Sequence, residues 1–152
     1  FGWLSYTFSE TKSQKEGEPE LPDPNDVTHI LNLVANHKLT DTFQLGGRLK
    51  YQTGYPITPI GNVIYQAATD EYFPEKDESL LFTERVPDTI AVSAFAQNDF
   101  KYETWDLQLR YGVEEYQLKK SSPDVVYNYD YSRKDFAVGL PGIPFIELRG
   151  TF

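Results

Sequence analysis

Few residues of this chain have the types and spacing that chemistry demands. There is no Cys, so thiolate nucleophiles, thiolate metal sites and disulfides are excluded. No Gly-x-Ser-x-Gly elbow occurs, and neither His has a Ser positioned to be activated by it, so acyl-transfer catalysis is not expected. The protein is therefore read as a non-enzyme. His29 and His37 are eight positions apart and fall on one face of an extended segment. At ~3.3 Å per residue they stand ~26 Å apart and cannot share a metal ion. Asp124, Asp130 and Asp135 could offer oxygens to a divalent cation, but their spacing matches no Ca²⁺-binding loop. No metal and no cofactor is expected.

Two sets of side chains suit binding better than catalysis. Tyr55, Tyr65, Tyr72 and Phe73, with Tyr127, Tyr129 and Tyr131, lie in polar, Pro-rich stretches that read as exposed loops. They could form an aromatic ligand platform, or pack the loops on one another. Gln44, Arg48, Lys50, Asp106, Gln108 and Arg110 alternate with apolar residues. They could make a hydrogen-bonded and ion-paired lining, or line the path of a substrate.

The elements that must carry these residues have period two. Phe43, Leu45, Gly47, Leu49 and Tyr51 alternate with Gln44, Gly46, Arg48, Lys50 and Gln52. Trp105 to Val113 repeats the pattern, and looser versions cover Gly2–Phe8, Val27–His37, Ile90–Gln97 and Ile146–Phe152. Such alternation specifies strands with one apolar and one polar face. About six strands of ~9–13 residues follow, near the length needed to cross a bilayer at a tilt and longer than the usual ~5–6 of soluble sheets. Links of four residues or fewer, at Leu39–Thr42 and near Lys101–Glu103, alternate with long ones at roughly 11–25, 53–86 and 117–141. That rhythm is the one of outer-membrane barrels, short turns on the periplasmic side and long loops outside. Several of the long links could be mobile or partly disordered. With short turns periplasmic, the strand near Phe1 runs outward and the last one inward, toward Phe152.

The net charge of -9 opposes nucleic-acid binding, which wants a basic face. The acidic residues sit between the apolar segments, as in Glu16–Glu20 and Glu75–Glu78, where a solvated surface accounts for them. No apolar run approaches the ~20 residues of a membrane helix, but a membrane strand needs only alternate apolar residues. Aromatic residues make up 15% of the chain, among them 11 Tyr, a type that membrane interfaces favour. The chain contains no Met and opens within an alternating segment, so a piece of a longer protein is expected. No signal peptide is legible in it.

Several stretches resemble, in order, those of TonB-dependent outer-membrane receptors. They are Gly2-Trp3-Leu4-Ser5-Tyr6-Thr7-Phe8-Ser9, Asp26-Val27-Thr28-His29-Ile30-Leu31-Asn32 and Gly54-Tyr55-Pro56-Ile57-Thr58-Pro59. Tyr127-Asn128-Tyr129-Asp130-Tyr131-Ser132 and the final Gly139–Phe152 segment complete the set. The resemblance covers nearly the whole chain. It implies about the last six strands of a ~22-stranded up-and-down barrel, with the plug and the TonB-engaging segment outside this chain. It further implies the outer membrane of a Gram-negative bacterium and uptake of a scarce nutrient: a metal chelate, cobalamin or a glycan. The implied partners are the rest of the barrel and its plug or partner chains, outer-membrane lipid, and the barrel-assembly machinery. That machinery would read Leu148, Gly150 and Phe152 as a terminal signal. TonB would be reached only through the absent N-terminal part. A six-stranded sheet is too small to close into an ordinary membrane barrel, which begins at ~8 strands, so its edges must pair with further strands. The alternatives are a barrel that binds or supports without transporting, and a soluble β-sheet carbohydrate-binding module.

Overall fold

The computed structural model describes residues 1–118, 125–137 and 141–152. Asp124, Gly139 and Leu140 lie outside the described residues. The chain is all-β, and six long strands carry it: β1 (Gly2–Phe8), β2 (His29–Lys38), β3 (Phe43–Gln52), β4 (Thr89–Lys101), β5 (Asp106–Gln117) and β6 (Ile143–Thr151). They form one antiparallel sheet in chain order, each strand hydrogen-bonded to the next. The sheet is open, and its outer edges at β1 and β6 have no ladder partner among the described residues.

Directly opposed residues of an antiparallel pair share a face, so the register tests the alternation strand by strand. One row reads Leu4, Leu33, Leu49, Val92; another reads Ala96, Tyr111, Ile146. The apolar sets of all six strands thus join into one continuous face. The other face carries rows such as Lys38, Gln44, Gln97, Arg110 and Glu147. A slip of one residue at any pairing would have broken both faces, which is why a two-faced pattern specifies register strongly.

Strand ends differ from the sequence reading by a few residues. The apolar period at Trp105 suggests strand, but Tyr102 N–H donates to the Trp105 carbonyl at 3.0 Å and closes a tight turn, so β5 begins at Asp106. Strand β4 reaches Lys101 rather than Gln97, because Asn98, Asp99 and Phe100 still find ladder partners in Leu109, Gln108 and Leu107. One irregularity interrupts the ladder. Two residues, Glu114 and Glu115, lie opposite Ser93, and Glu115 takes a left-handed φ of 51°. This bulge turns the Glu115 side chain toward Arg48, with which it forms an ion pair.

Among the described residues, each long link contains at least one short antiparallel ladder. Ile60–Gln66 pairs with Glu71–Lys76, Val125–Tyr127 with Lys134–Phe136, Leu21–Pro22 with Lys12–Ser13, and Pro56–Ile57 with Glu84–Arg85. The first hairpin alternates weakly in sequence; Asp70, at φ 55°, supplies the positive-φ position of its turn. All three long links leave from the same end of the sheet, and both short turns from the other.

Candidate functional site

The apolar face has a graded composition along the strands. Its middle is mostly aliphatic, with Leu33, Leu49, Val92, Leu109 and Leu148, and carries one aromatic, Tyr111. At the long-link end stand Tyr6, Phe8, His29, Tyr51 and Tyr116. The Tyr6 hydroxyl lies 2.9 Å from His29 Nδ1, and the His29 ring contacts the rings of Phe8 at 5.4 Å and Tyr6 at 6.1 Å. At the short-turn end Tyr102 stacks on Trp105 at 4.6 Å and Trp105 on Phe152 at 6.0 Å, next to Phe43 and Phe100. Ten residues separate Ile90 from Phe100. At a tilt of ~40° that stretch spans roughly 25 Å of height. The face is uncovered on the interior strands as well as the edges: Leu33 is 44% exposed, Leu45 43% and Tyr111 41%. His29 and His37 occupy opposite ends of β2, so they share no site.

The opposite face is a polar network interrupted by rings. All of Gln44, Arg48, Lys50, Asp106, Gln108 and Arg110 lie on it. Asp99 accepts from Gln97 Nε2 at 3.1 Å and from Gln108 Nε2 at 3.0 Å. Arg110 sits 4.0 Å above the Phe95 ring and 5.5 Å from that of Phe145, and pairs with Glu147 at 3.8 Å. Phe95 lies flat across its glycine neighbour; a Cβ on Gly46 would stand 2.4 Å from the ring. Lys50 is opposed by Asn32 and Ala91. Asp99, Glu115 and Glu147, which complete these pairs, escaped the sequence reading because their partners lie on other strands. The aromatic Phe95 and Phe145 on a polar face were legible only as breaks in the alternation.

At the long-link end the chain buries a knot. The Asp26 side chain is only 1% exposed; its carboxylate accepts from Arg85 Nη2 at 2.5 Å, from Thr11 N at 2.8 Å and from Thr28 Oγ1 at 3.1 Å. Arg85 also donates to the Gly54 carbonyl at 2.8 Å and the Asp26 carbonyl at 3.2 Å. The Arg85 hydrogen bond, then the Thr11 N–H, hold the Asp26 carboxyl below the usual carboxylate range, although burial opposes them. Beside it, Asp88 accepts from Tyr51 Oη at 2.8 Å and Gly54 N at 3.2 Å. Gly54 packs so closely that a Cβ would stand 1.7 Å from the Val86 carbonyl oxygen. The Gly54–Pro59 stretch is thus a structural clasp, with Thr58 Oγ1 accepting from Phe82 N at 3.1 Å.

The loop tyrosines divide. Tyr65 and Tyr72 are 4.9 Å apart on one hairpin, and Tyr72 meets Tyr129 edge-on at 5.4 Å on the other. Tyr127 and Tyr131 pair at 5.5 Å. Tyr55 stands apart from both pairs, at the clasp, where its carbonyl accepts from Val86 N at 3.1 Å. Tyr65 donates to Asp70 Oδ1 at 2.9 Å, a bond that raises its hydroxyl pKa, and Tyr129 donates to the Asp70 carbonyl. Lys134 forms an ion pair with Glu84. These contacts join the second and third long links into one body. Asp130 accepts from Ser132 Oγ and Asn128 Nδ2, both at 2.6 Å, so its carboxylate is turned onto its own loop and held below the usual range. Among the described residues no group of three or more His, Cys, Asp or Glu could hold a metal ion.

No family model, curated protein or solved structure matches the chain. The arrangement itself defines an all-β protein built on an open, two-faced antiparallel sheet.

Proposed function

We propose that the six strands are a contiguous part of a transmembrane β-barrel in a bacterial outer membrane. The observation that carries this reading is the uncovered apolar face, mostly aliphatic in its middle and aromatic at both ends, set against a polar face. Its height of ~25 Å equals the apolar band of outer-membrane barrels, whose girdles are aromatic and whose interior is polar. A soluble sheet would need a second layer over that face. Open edges in hydrocarbon would be costly, so β1 and β6 pair with further strands of the barrel. The ion-paired face then lines the lumen, and the long links stand outside the cell.

The ordered resemblance of five stretches supports reading this barrel as that of a TonB-dependent receptor, which takes up a metal chelate, cobalamin or a glycan. Its plug fills the lumen against Arg48, Arg110 and their partners, and Leu148, Gly150 and Phe152 serve assembly. This chain contains no Cys, which allows a direct test of its facing. A fluorophore attached to a single Cys substituted at Leu49, Leu109 or Ile146 should be quenched by a lipid-phase quencher, and one at Gln44 or Gln108 should not. Equal quenching of the two sets would reject the membrane facing. Transport is tested separately: cells lacking the protein should lose growth on one of these nutrient classes when it is limiting, and undiminished growth on all of them leaves only a binding or structural barrel.

A further inference from the structure

The three long links are not joined with equal strength. Arg85 ties the second link to the first: its guanidinium meets Asp26 at 2.5 Å, and the Asp26 side chain is only 1% exposed. Its neighbour Glu84 ties the second link to the third through the ion pair with Lys134. Glu84 and Arg85 form one two-residue strand against Pro56–Ile57, so their side chains leave it on opposite sides. We propose that the hairpin of Val125–Tyr127 and Lys134–Phe136 is a strap that opens from the second link as a unit. The Glu84–Lys134 pair is its latch, and the first and second links stay together when it opens. The device rests on contacts between links, so it stands apart from the membrane reading of the sheet.

Three observations place the opening at that joint. First, the contacts that hold the strap are wet. The Lys134 and Glu84 side chains are 30% and 46% exposed. Tyr129, which donates to the Asp70 carbonyl and meets Tyr72 edge-on, is 65% exposed. An exposed ion pair contributes little and is screened by salt. The buried pair differs, because parting Asp26 from Arg85 would leave a buried charge uncompensated. Second, no backbone ladder crosses the joint: among the described residues this hairpin pairs only within itself. Beside the knot, by contrast, Thr53 N donates to the His29 carbonyl at 3.0 Å, and His29 N to Thr53 Oγ1 at 3.0 Å. Third, open space already divides the joint. Two clefts of about 370 and 620 Å³ take walls from both links, Glu84 and Tyr72 from the second, Tyr127 and Tyr131 from the third. A joint with so little packing across it opens at small cost. Both clefts exist only while the strap is down, so the latch decides whether that surface is formed.

The test measures distances between spin labels on Cys pairs introduced into the full chain at exposed positions. Gln66 with Asp135 spans the latch, and Ser13 with Gln66 spans the knot. The Gln66–Asp135 pair should show a short and a long distance. Lys134→Glu should raise the long-to-short ratio about fivefold, and ~1 M salt should raise it about twofold. The charge-swapped double variant, Glu84→Lys with Lys134→Glu, should restore the original ratio. The Ser13–Gln66 distance should stay single throughout. The salt series needs no latch substitution, so it decides the matter even if a latch variant fails to fold. A single Gln66–Asp135 distance at every salt concentration would overturn the proposal. So would a swap that restores nothing, or a Ser13–Gln66 distance that broadens along with the other.

Discussion

The sheet and the long-link end are held together by different physics. Within the sheet, ladders of backbone hydrogen bonds do the joining, and Ala91 is its one buried residue. At the long-link end Asp26, Gly54, Pro56 and Val86 are buried, joined by side chains from segments far apart in sequence. A soluble domain shows the reverse, its sheet packed and its loops open. The difference indicates where burial is completed: the long-link end is finished by the chain's own atoms, whereas the sheet leaves an apolar face for its surroundings to cover. The sheet is therefore expected to be sensitive to its solvent, and the knot to its side-chain chemistry.

The strongest way to break the knot is to fill its closest contact. Gly54→Val would force the Val86 backbone away; a loss of ~3 kcal/mol or more is expected in the unfolding free energy, with Gly47→Ala costing less because its Cβ would stand 3.1 Å from the Ser93 carbonyl oxygen, a tight contact that a small shift relieves. Similar losses at the two sites would remove the distinction between clasp and sheet. On the sheet, Leu109→Arg should cost ~2–4 kcal/mol in a bilayer and Gln44→Arg much less, as read from urea unfolding in vesicles. If the protein is equally tolerant of both, its apolar face does not meet lipid.

A smaller effect distinguishes the knot by pH. Because the folded Asp26 carboxyl titrates below its unfolded value of ~3.9, its contribution is complete above about pH 4 and is lost as pH falls through the lowered folded value. Asp26→Asn removes that contribution. The gap in stability between the two proteins should be ~1–3 kcal/mol at pH 7 and should narrow as pH falls from about 4 toward the lowered folded value, a comparison that cancels the other carboxylates. A gap as wide at pH 2 as at pH 7 would mean that packing, not charge, holds the residue. The smallest effect belongs to the polar face. Arg48 and Glu115 are 44% and 47% exposed, so Arg48→Met should change stability by no more than ~1 kcal/mol in water, and less at high salt.

How far the fold could be read in advance varied with how local its cause is. Strand β3 was legible almost to the residue, because ten consecutive positions alternate without a break. Strand β4 was read short, since Asn98 and Asp99 interrupt the pattern and are held as strand by partners on β5. The hairpin Ile60–Gln66 with Glu71–Lys76 was missed; it has no continuous apolar face, and its turn needs a positive φ at an aspartate.

By itself the amino-acid sequence determined the two faces of each strand, the alternation of short and long links, and the residue types available at each. A side chain's facing in a strand follows from parity, which is a local property of the backbone. Tertiary structure alone decided which residues meet. Asp26 finds Arg85, 59 positions away, Arg48 finds Glu115 through a bulge, and Tyr72 finds Tyr129 across two hairpins. Such pairs depend on register and on the docking of loops. No period in the sequence records them, because the energy that selects them exists only once the separate strands are side by side.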